Sequence, residues 1–177
     1  MRKEFSGIIV ECIQGDIASQ SDVEAVVNAA NAQLMPGGGV AGAIHRKAGP
    51  GLAEECRPLA PIKTGEAVIT GAHNLPNKYV IHTLGPVYGK DKPEDKLLAS
   101  CYRKSLEIAD QQGIISIAFP AISTGIFGYP AEEAAEVAFQ TIKEKTPELN
   151  NIKTIRFVLY GKRDLEVHQK KLEEIFG

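Results

Sequence analysis

The sequence predicts an α/β sandwich in which helices cover a mixed β-sheet. Short apolar runs of strand length recur along the chain, too continuous to leave one sheet face in water. Helical stretches separate most of them. Two Gly-rich loops, Val26 to Val40 and Phe119 to Pro130, each leave a strand-like run and enter a helix-like one.

Ile8 to Ile13 reads as a strand, and Ala25 to Ala29 as a second, apolar until Asn28. Val40 to Ala48 and Leu52 to Cys56 read as short helical pieces broken by Gly49-Pro50-Gly51. Glu66 to Gly71 and Tyr79 to Leu84 are strands, joined through His73-Asn74-Leu75-Pro76-Asn77. So short a connection makes the pair antiparallel and the sheet mixed. Pro93 to Gln112 is a long amphipathic helix stopped by Gly113. Ile114 to Phe119 is a strand bounded by Pro120. Ala131 to Lys145 is a helix, with Pro130 suited to its first turn. Ile152 to Tyr160 is the last strand and Leu165 to Phe176 the last helix. No internal repeat interrupts this order, and residues 1–177 are expected to form a single domain.

Composition excludes several classes. At 44% hydrophobic, the chain buries a sizeable core. Twenty basic and 22 acidic residues give a net charge of -2, with no long-range pull toward phosphate polymers, so nucleic acid is a disfavoured partner. Cys12, Cys56 and Cys101 are odd in number and widely spaced, which argues against a disulfide framework and against a metal site. Three reduced thiols in a cytoplasmic protein are the expectation. Met1 to Ser6 is charged and short for a signal peptide, and no apolar run approaches the roughly 20 residues of a membrane span. No metal or cofactor is expected.

The loops carry the chemistry. Gly37-Gly38-Gly39 lets a ligand approach bare backbone, and the following helix start adds partial positive charge. Ser123-Thr124-Gly125-Ile126-Phe127-Gly128 is built of small residues whose consecutive N–H groups can form a concave anion nest. Phe127 is suited either to wall a sugar or to pack its loop on the core. Asn31 is placed for a ligand hydroxyl, because an amide donates and accepts at once. Asn28, inside a strand end, is expected to hydrogen-bond a neighbouring loop. Asp16, just past a strand, suits the exocyclic amine of a base or an ordinary helix cap. Tyr160, ending the last strand, suits a base or plain packing. His45 shares a helix face with Ala41 and has no acidic partner beside it, so it is either catalytic or an orienting, packing residue. His82 reads as core, and His73 and His168 as surface. Neither the P-loop nor the dinucleotide fingerprint is present, which disfavours a P-loop hydrolase and a nicotinamide dehydrogenase.

Several ordered pieces together resemble the macrodomain family, MacroD-type and related bacterial members. They are Gly15-Asp16-Ile17, Val27-Asn28-Ala29-Ala30-Asn31, Gly37-Gly38-Gly39-Val40 and Gly42-Ala43-Ile44-His45-Arg46. Thr64-Gly65-Glu66-Ala67, Asn74-Leu75-Pro76, Tyr79 to Pro86 and Ala118 to Pro130 continue the series in family order. The resemblance implies a three-layer α/β/α sandwich with a central mixed sheet and an ADP-ribose cleft at the strand ends. By that likeness Asp16 and Ile17 meet the adenine, with Tyr160 at its border. Gly38, Gly39 and Val40 meet the diphosphate and distal ribose from one side. Ser123, Thr124, Gly125, Ile126 and Phe127 meet the diphosphate from the other, and Asn31 holds the distal ribose.

The resemblance implies an ADP-ribosyl hydrolase acting on mono-ADP-ribosylated acidic side chains or deacetylating O-acetyl-ADP-ribose, with Asn31, His45 and Phe127 as its catalytic group. ADP-ribosylated proteins are the implied partners. The chain departs from the MacroD pattern after Gly-Gly-Gly-Val, where Ala41 replaces the usual aspartate. That departure favours a second reading, an ADP-ribose reader without turnover. Phosphatase action on ADP-ribose 1″-phosphate is a third.

Overall fold

The computed structural model describes Met1–Gly177. Seven strands form one sheet: β1 (Arg2–Phe5), β2 (Ile8–Gln14), β3 (Ala25–Ala29), β4 (Ala67–Gly71), β5 (Tyr79–Thr83), β6 (Ser116–Phe119) and β7 (Thr154–Leu159). Their spatial order is β1-β2-β7-β6-β3-β5-β4. The five inner strands run parallel, and the edges β1 and β4 run antiparallel to their neighbours. The helices are α1 (Gly39–Ala48), α2 (Pro50–Cys56), α3 (Glu94–Gln111), α4 (Ala131–Lys145) and α5 (Lys162–Phe176).

The sheet separates two cores. On one face α3, α4 and α5 bury Leu98, Leu106, Phe139 and Leu172 against Phe119 and Phe157. On the other, α1 and α2 bury Ile44 and Leu52 against Val26 and Val80. Burial on both faces explains the unbroken apolar runs of the inner strands. The expected mixed three-layer sandwich is therefore the observed one.

Three readings need correction. The chain opens with β1, whose residues Arg-Lys-Glu-Phe are half-exposed in alternation. Charge on an edge strand guards against edge-to-edge pairing and hides the strand from a hydrophobic pattern. Helix α2 begins at Pro50 rather than Leu52, because Gly49 alone makes the bend with φ 85 and Pro50 occupies the first turn. His168 is buried, not at the surface; its Nδ1 meets the Asp164 carbonyl at 2.8 Å and its ring packs on Phe139 and Phe157. It lies on the inward stripe of α5 with Leu172 and Ile175.

Candidate functional site

The parallel strands all end on one side of the molecule. Strands β3 and β6 are neighbours there. The chain leaves β3 toward α1 on one sheet face and leaves β6 toward α4 on the other. Diverging exits of this kind open a crevice at the carboxyl ends of the strands.

Two connected pockets fill the crevice. One, of about 260 Å³, is lined by Asn31, Gly37 to Ala41, Gly85, Ala121 to Ser123 and Gly125 to Phe127. The other, of about 620 Å³, is lined by Asp16, Ile17, Val40, Arg46, Thr124 and Tyr160 among others. Gly39, Val40, Ala121 and Gly125 border both, so the two make one elongated cleft.

The cleft floor is backbone. The N–H groups of Gly37, Gly38, Gly39, Val40 and Ala41 donate to no protein acceptor. The first turn of α1 also lacks a side-chain cap, since its N-cap is Gly38. Across the cleft, the N–H groups of Ser123, Thr124, Gly125, Ile126 and Phe127 likewise donate to no protein acceptor. Two facing runs of unused donors, one at a helix N-terminus, form an anion site that needs no cation. A Cβ built on Gly38, Gly39 or Gly125 meets nothing within 4 Å, so the space above these residues is open.

Close packing fixes the two loops. A Cβ on Gly42 would collide with the carbonyl oxygen of Gly37, and one on Gly85 with the Ser123 hydroxyl. Asn31 donates from Nδ2 to the Met35 carbonyl at 2.8 Å and accepts from the Met35 N–H at 3.0 Å. Its amide therefore holds the first loop closed while the residue lines the cleft. Ser123 sits at φ 68, an uncommon conformation for a residue with a side chain, and its buried hydroxyl has no partner.

The sequence-predicted residues divide three ways. Asn31, Gly38, Gly39, Val40, Ser123, Gly125, Ile126 and Phe127 come together in the smaller pocket, and Asp16, Ile17, Thr124 and Tyr160 in the larger. Tyr160 is 89% exposed and Ile126 97% exposed at the cleft rim. Asp16 also caps a short 3-10 turn, its Oδ1 accepting from the Ala18 N–H at 2.9 Å. The capping role read for Asp16 is thus observed, and the residue also borders the larger pocket.

His45 is not brought to the cleft. It lines neither pocket, is buried, and has no hydrogen-bond partner at either ring nitrogen. Burial lowers its pKa and favours the neutral ring. One helical turn beyond Ala41, the same stripe of α1 already points into the body of the protein. Asn28 bonds a strand rather than a loop: its Nδ2 donates to His82 Nδ1 at 3.0 Å, leaving His82 Nε2 to meet Thr70 Oγ1 at 3.0 Å. Burial, then the neighbouring His45, pushes His82 down to about 3.

Sequence reasoning missed Arg46 and Gly85. Val40, Ala43 and Arg46 all line the larger pocket, and their three-residue spacing marks one helix face. Gly85 has no such signal, because its role depends on where Ser123 arrives.

No other chemistry competes. Burial pushes Cys56 and Cys101 up to about 11 each, which makes them poor nucleophiles. No group of three His, Cys, Asp or Glu residues is arranged to hold a metal ion. No helix is long and apolar enough to cross a membrane.

Residues 27–138 match the family model described as Macro domain. A Macro domain-containing protein of Chlorobaculum tepidum is 50% identical over 166 residues, covering 93% of this chain and 96% of that protein. The ADP-ribose glycohydrolase MACROD2 of Xenopus laevis is 48% identical over 94% of this chain, which spans 40% of that protein. Among solved structures, the Oceanobacillus iheyensis macrodomain with ADP superposes with a TM-score of 0.93 at 39% identity, covering 98% of this chain and 95% of that one.

Proposed function

The chain belongs to the macro domain family, and on that premise we propose that residues 1–177 act as one ADP-ribose-binding domain that hydrolyses ADP-ribosyl esters. The observation that carries this reading is the pair of facing N–H runs, Gly37–Ala41 and Ser123–Phe127. A diphosphate brings charge to just such donors, and hydrogen bonds to a charged group are the stronger kind. Asp16, Ile17 and Tyr160 sit at the adenine end. Asn31 and Phe127 sit at the distal-ribose end, where the ester lies.

The substrates are proteins mono-ADP-ribosylated on acidic side chains, with O-acetyl-ADP-ribose as a small molecule of the same ester class. Hydrolysis consumes one water and returns ADP-ribose and the free carboxyl group. Ala41 supplies no carboxylate to act on that water, and His45 is too far inside to replace one. The water is instead held against the substrate's own phosphate, and the loops orient the ester. General acid–base assistance contributes roughly 10²–10⁴-fold, and orientation together with preorganised donors matches or exceeds that. A slower enzyme is the consequence. Three free, buried thiols fit a reducing, cytoplasmic setting.

A second reading, a reader without turnover, is favoured by Ala41 alone. Protein in excess over an acid-linked mono-ADP-ribosylated substrate separates the two. Release of ADP-ribose that falls with Asn31→Ala supports the hydrolase. An intact ester with tight ADP-ribose binding supports the reader, and rescue by Ala41→Asp then assigns the difference to one carboxylate.

A further inference from the structure

Beside the distal end of the cleft lies a separate pocket of about 460 Å³, at the N-terminal ends of α3 and α4. Tyr88 and Tyr129 wall it, with ring centroids 4.9 Å apart. The rest of its rim is acidic: Glu94 and Asp95 from α3, and Glu132, Glu133 and Glu136 from α4. Lys171 is the one cation there, and Glu136 and Glu174 each hold it at 3.2 Å.

Acids in the first turn of a helix complement its dipole, which accounts for part of this pattern. Two helix N-termini supply only about one positive unit between them. With five carboxylates and a single ammonium, the pocket stays negative. Tyr129 adds an independent observation. It is 5% exposed, it lines the pocket, and no protein group hydrogen-bonds its hydroxyl. The ring is packed while the hydroxyl itself is open to the pocket, free to meet a ligand donor. Burial, then the charges of Asp95, Glu133 and Glu94, pushes this phenol up to about 12.

The pocket is tied to the cleft. The Tyr88 N–H donates to the Phe127 carbonyl at 2.8 Å, and the Tyr129 N–H to the Ser123 carbonyl at 2.9 Å. Tyr129 follows the Ser123–Phe127 loop in the chain, and Tyr88, between β5 and α3, is hydrogen-bonded to it. A protein chain esterified at the distal ribose leaves the cleft beside them.

We propose that this pocket binds an arginine of the modified protein, a few residues from the ADP-ribosylated side chain, and so selects substrates with basic flanks. The inference rests on the hydrolase reading and deepens it by naming the substrate class. A guanidinium stacks on a tyrosine ring, forks onto a carboxylate and donates to a free phenol oxygen at once. An ammonium matches the charge but not the plane.

The test uses the whole chain and peptides carrying ADP-ribose through a non-hydrolysable linkage. Arginine, lysine or the neutral isostere citrulline is placed one to six residues from the modified side chain. Calorimetry gives their affinities beside that of ADP-ribose alone. The arginine peptide is expected to bind about tenfold tighter than the citrulline peptide at its best spacing. High salt shrinks the gain. The double variant Asp95→Asn with Glu133→Gln abolishes it and keeps the affinity for ADP-ribose. Equal affinity for arginine and citrulline peptides at every spacing overturns the inference and leaves the proposed function standing. Equal gains from lysine and arginine overturn the choice of a guanidinium. Failure of ADP-ribose itself to bind removes the proposed function instead. An NMR titration with the unmodified arginine peptide then decides the pocket, and unmoved amides around Tyr88 and Tyr129 overturn it.

Discussion

The two glycine-rich loops face one cleft but are held in opposite ways. The first is braced from within: Asn31 closes it onto Met35, Leu34 anchors it in the core, and Gly42 packs against Gly37. The second is held at its ends, by Thr124 Oγ1 on the Ala121 carbonyl and by Tyr129 on the Ser123 carbonyl. Between those ties the Gly128 N–H closes a turn onto the Gly125 carbonyl and the Tyr88 N–H holds the Phe127 carbonyl, with Ile126 at the rim and Ser123 in an uncommon conformation. One loop is braced by a side-chain amide and the other through its own carbonyls, and both leave their N–H groups free. Donors built in this way lose little freedom when a ligand arrives. Glycine does two kinds of work: close packing at Gly42 against the first loop, and open space for a ligand at Gly38, Gly39 and Gly125.

The sharpest break in that comparison is Gly125→Glu. A Cβ there meets no protein atom within 4 Å, so the fold survives. The added side chain and its negative charge enter the diphosphate cradle, and ADP-ribose affinity falls by roughly 1000-fold or more, on the order of 4 kcal/mol. Calorimetry of a variant with an unchanged melting temperature checks this; retained affinity removes the second loop from the site.

Gly42→Val makes the converse break in the first loop. Its Cβ strikes the Gly37 carbonyl oxygen, and overpacking of this kind costs about 1–3 kcal/mol of stability. Urea unfolding reads the loss, and an unchanged midpoint contradicts the account of a packed floor.

Acid acts beneath the same floor, on β5, the neighbour of the strand that leads into the first loop. His82, bonded to Asn28, stays neutral in the fold with its pKa down to about 3, whereas the unfolded ring protonates near 6.5. The unfolded chain therefore binds more protons in that window. Stability is full above pH 6.5 and drains as pH falls from there toward 3. By pH 5 the loss from this ring is about 2 kcal/mol. Denaturation at several pH values tests the slope, and His82→Asn should flatten it.

Asn31→Ala removes both bonds to Met35 and costs about 1–2 kcal/mol. Turnover drops more than ADP-ribose affinity, because the loop that orients the distal ribose loosens. Equal losses in both would make Asn31 a binding group only. The smallest effect is expected of Asp16→Ala, about 1 kcal/mol of ADP-ribose affinity, since its side chain is exposed at the edge of the larger pocket and acts partly as a cap.

The layers, the antiparallel pair and both loops were legible because inner strands buried on two faces leave unbroken apolar runs. Helix α1 shows where legibility stops. Its sequence gives the spacing that gathers Val40, Ala43 and Arg46, yet the position of His45 depends on where the sheet lies beneath it. Gly85 is silent for a similar reason: its missing side chain makes sense only once the Ser123 hydroxyl is seen against it. Asn28 read correctly as a structural hydrogen bonder, but its partner, His82, is set by strand pairing between β3 and β5. Edge strand β1 escaped because charge, not apolar pattern, suits a sheet edge.

The most direct measurement is an amide NMR titration with ADP-ribose. The largest shifts are predicted at Gly37–Ala41 and Ser123–Phe127 together, as both runs of free N–H groups close on the diphosphate. Shifts confined to one loop, or amides in both runs that stay still at saturation, would contradict a site made by two facing backbones.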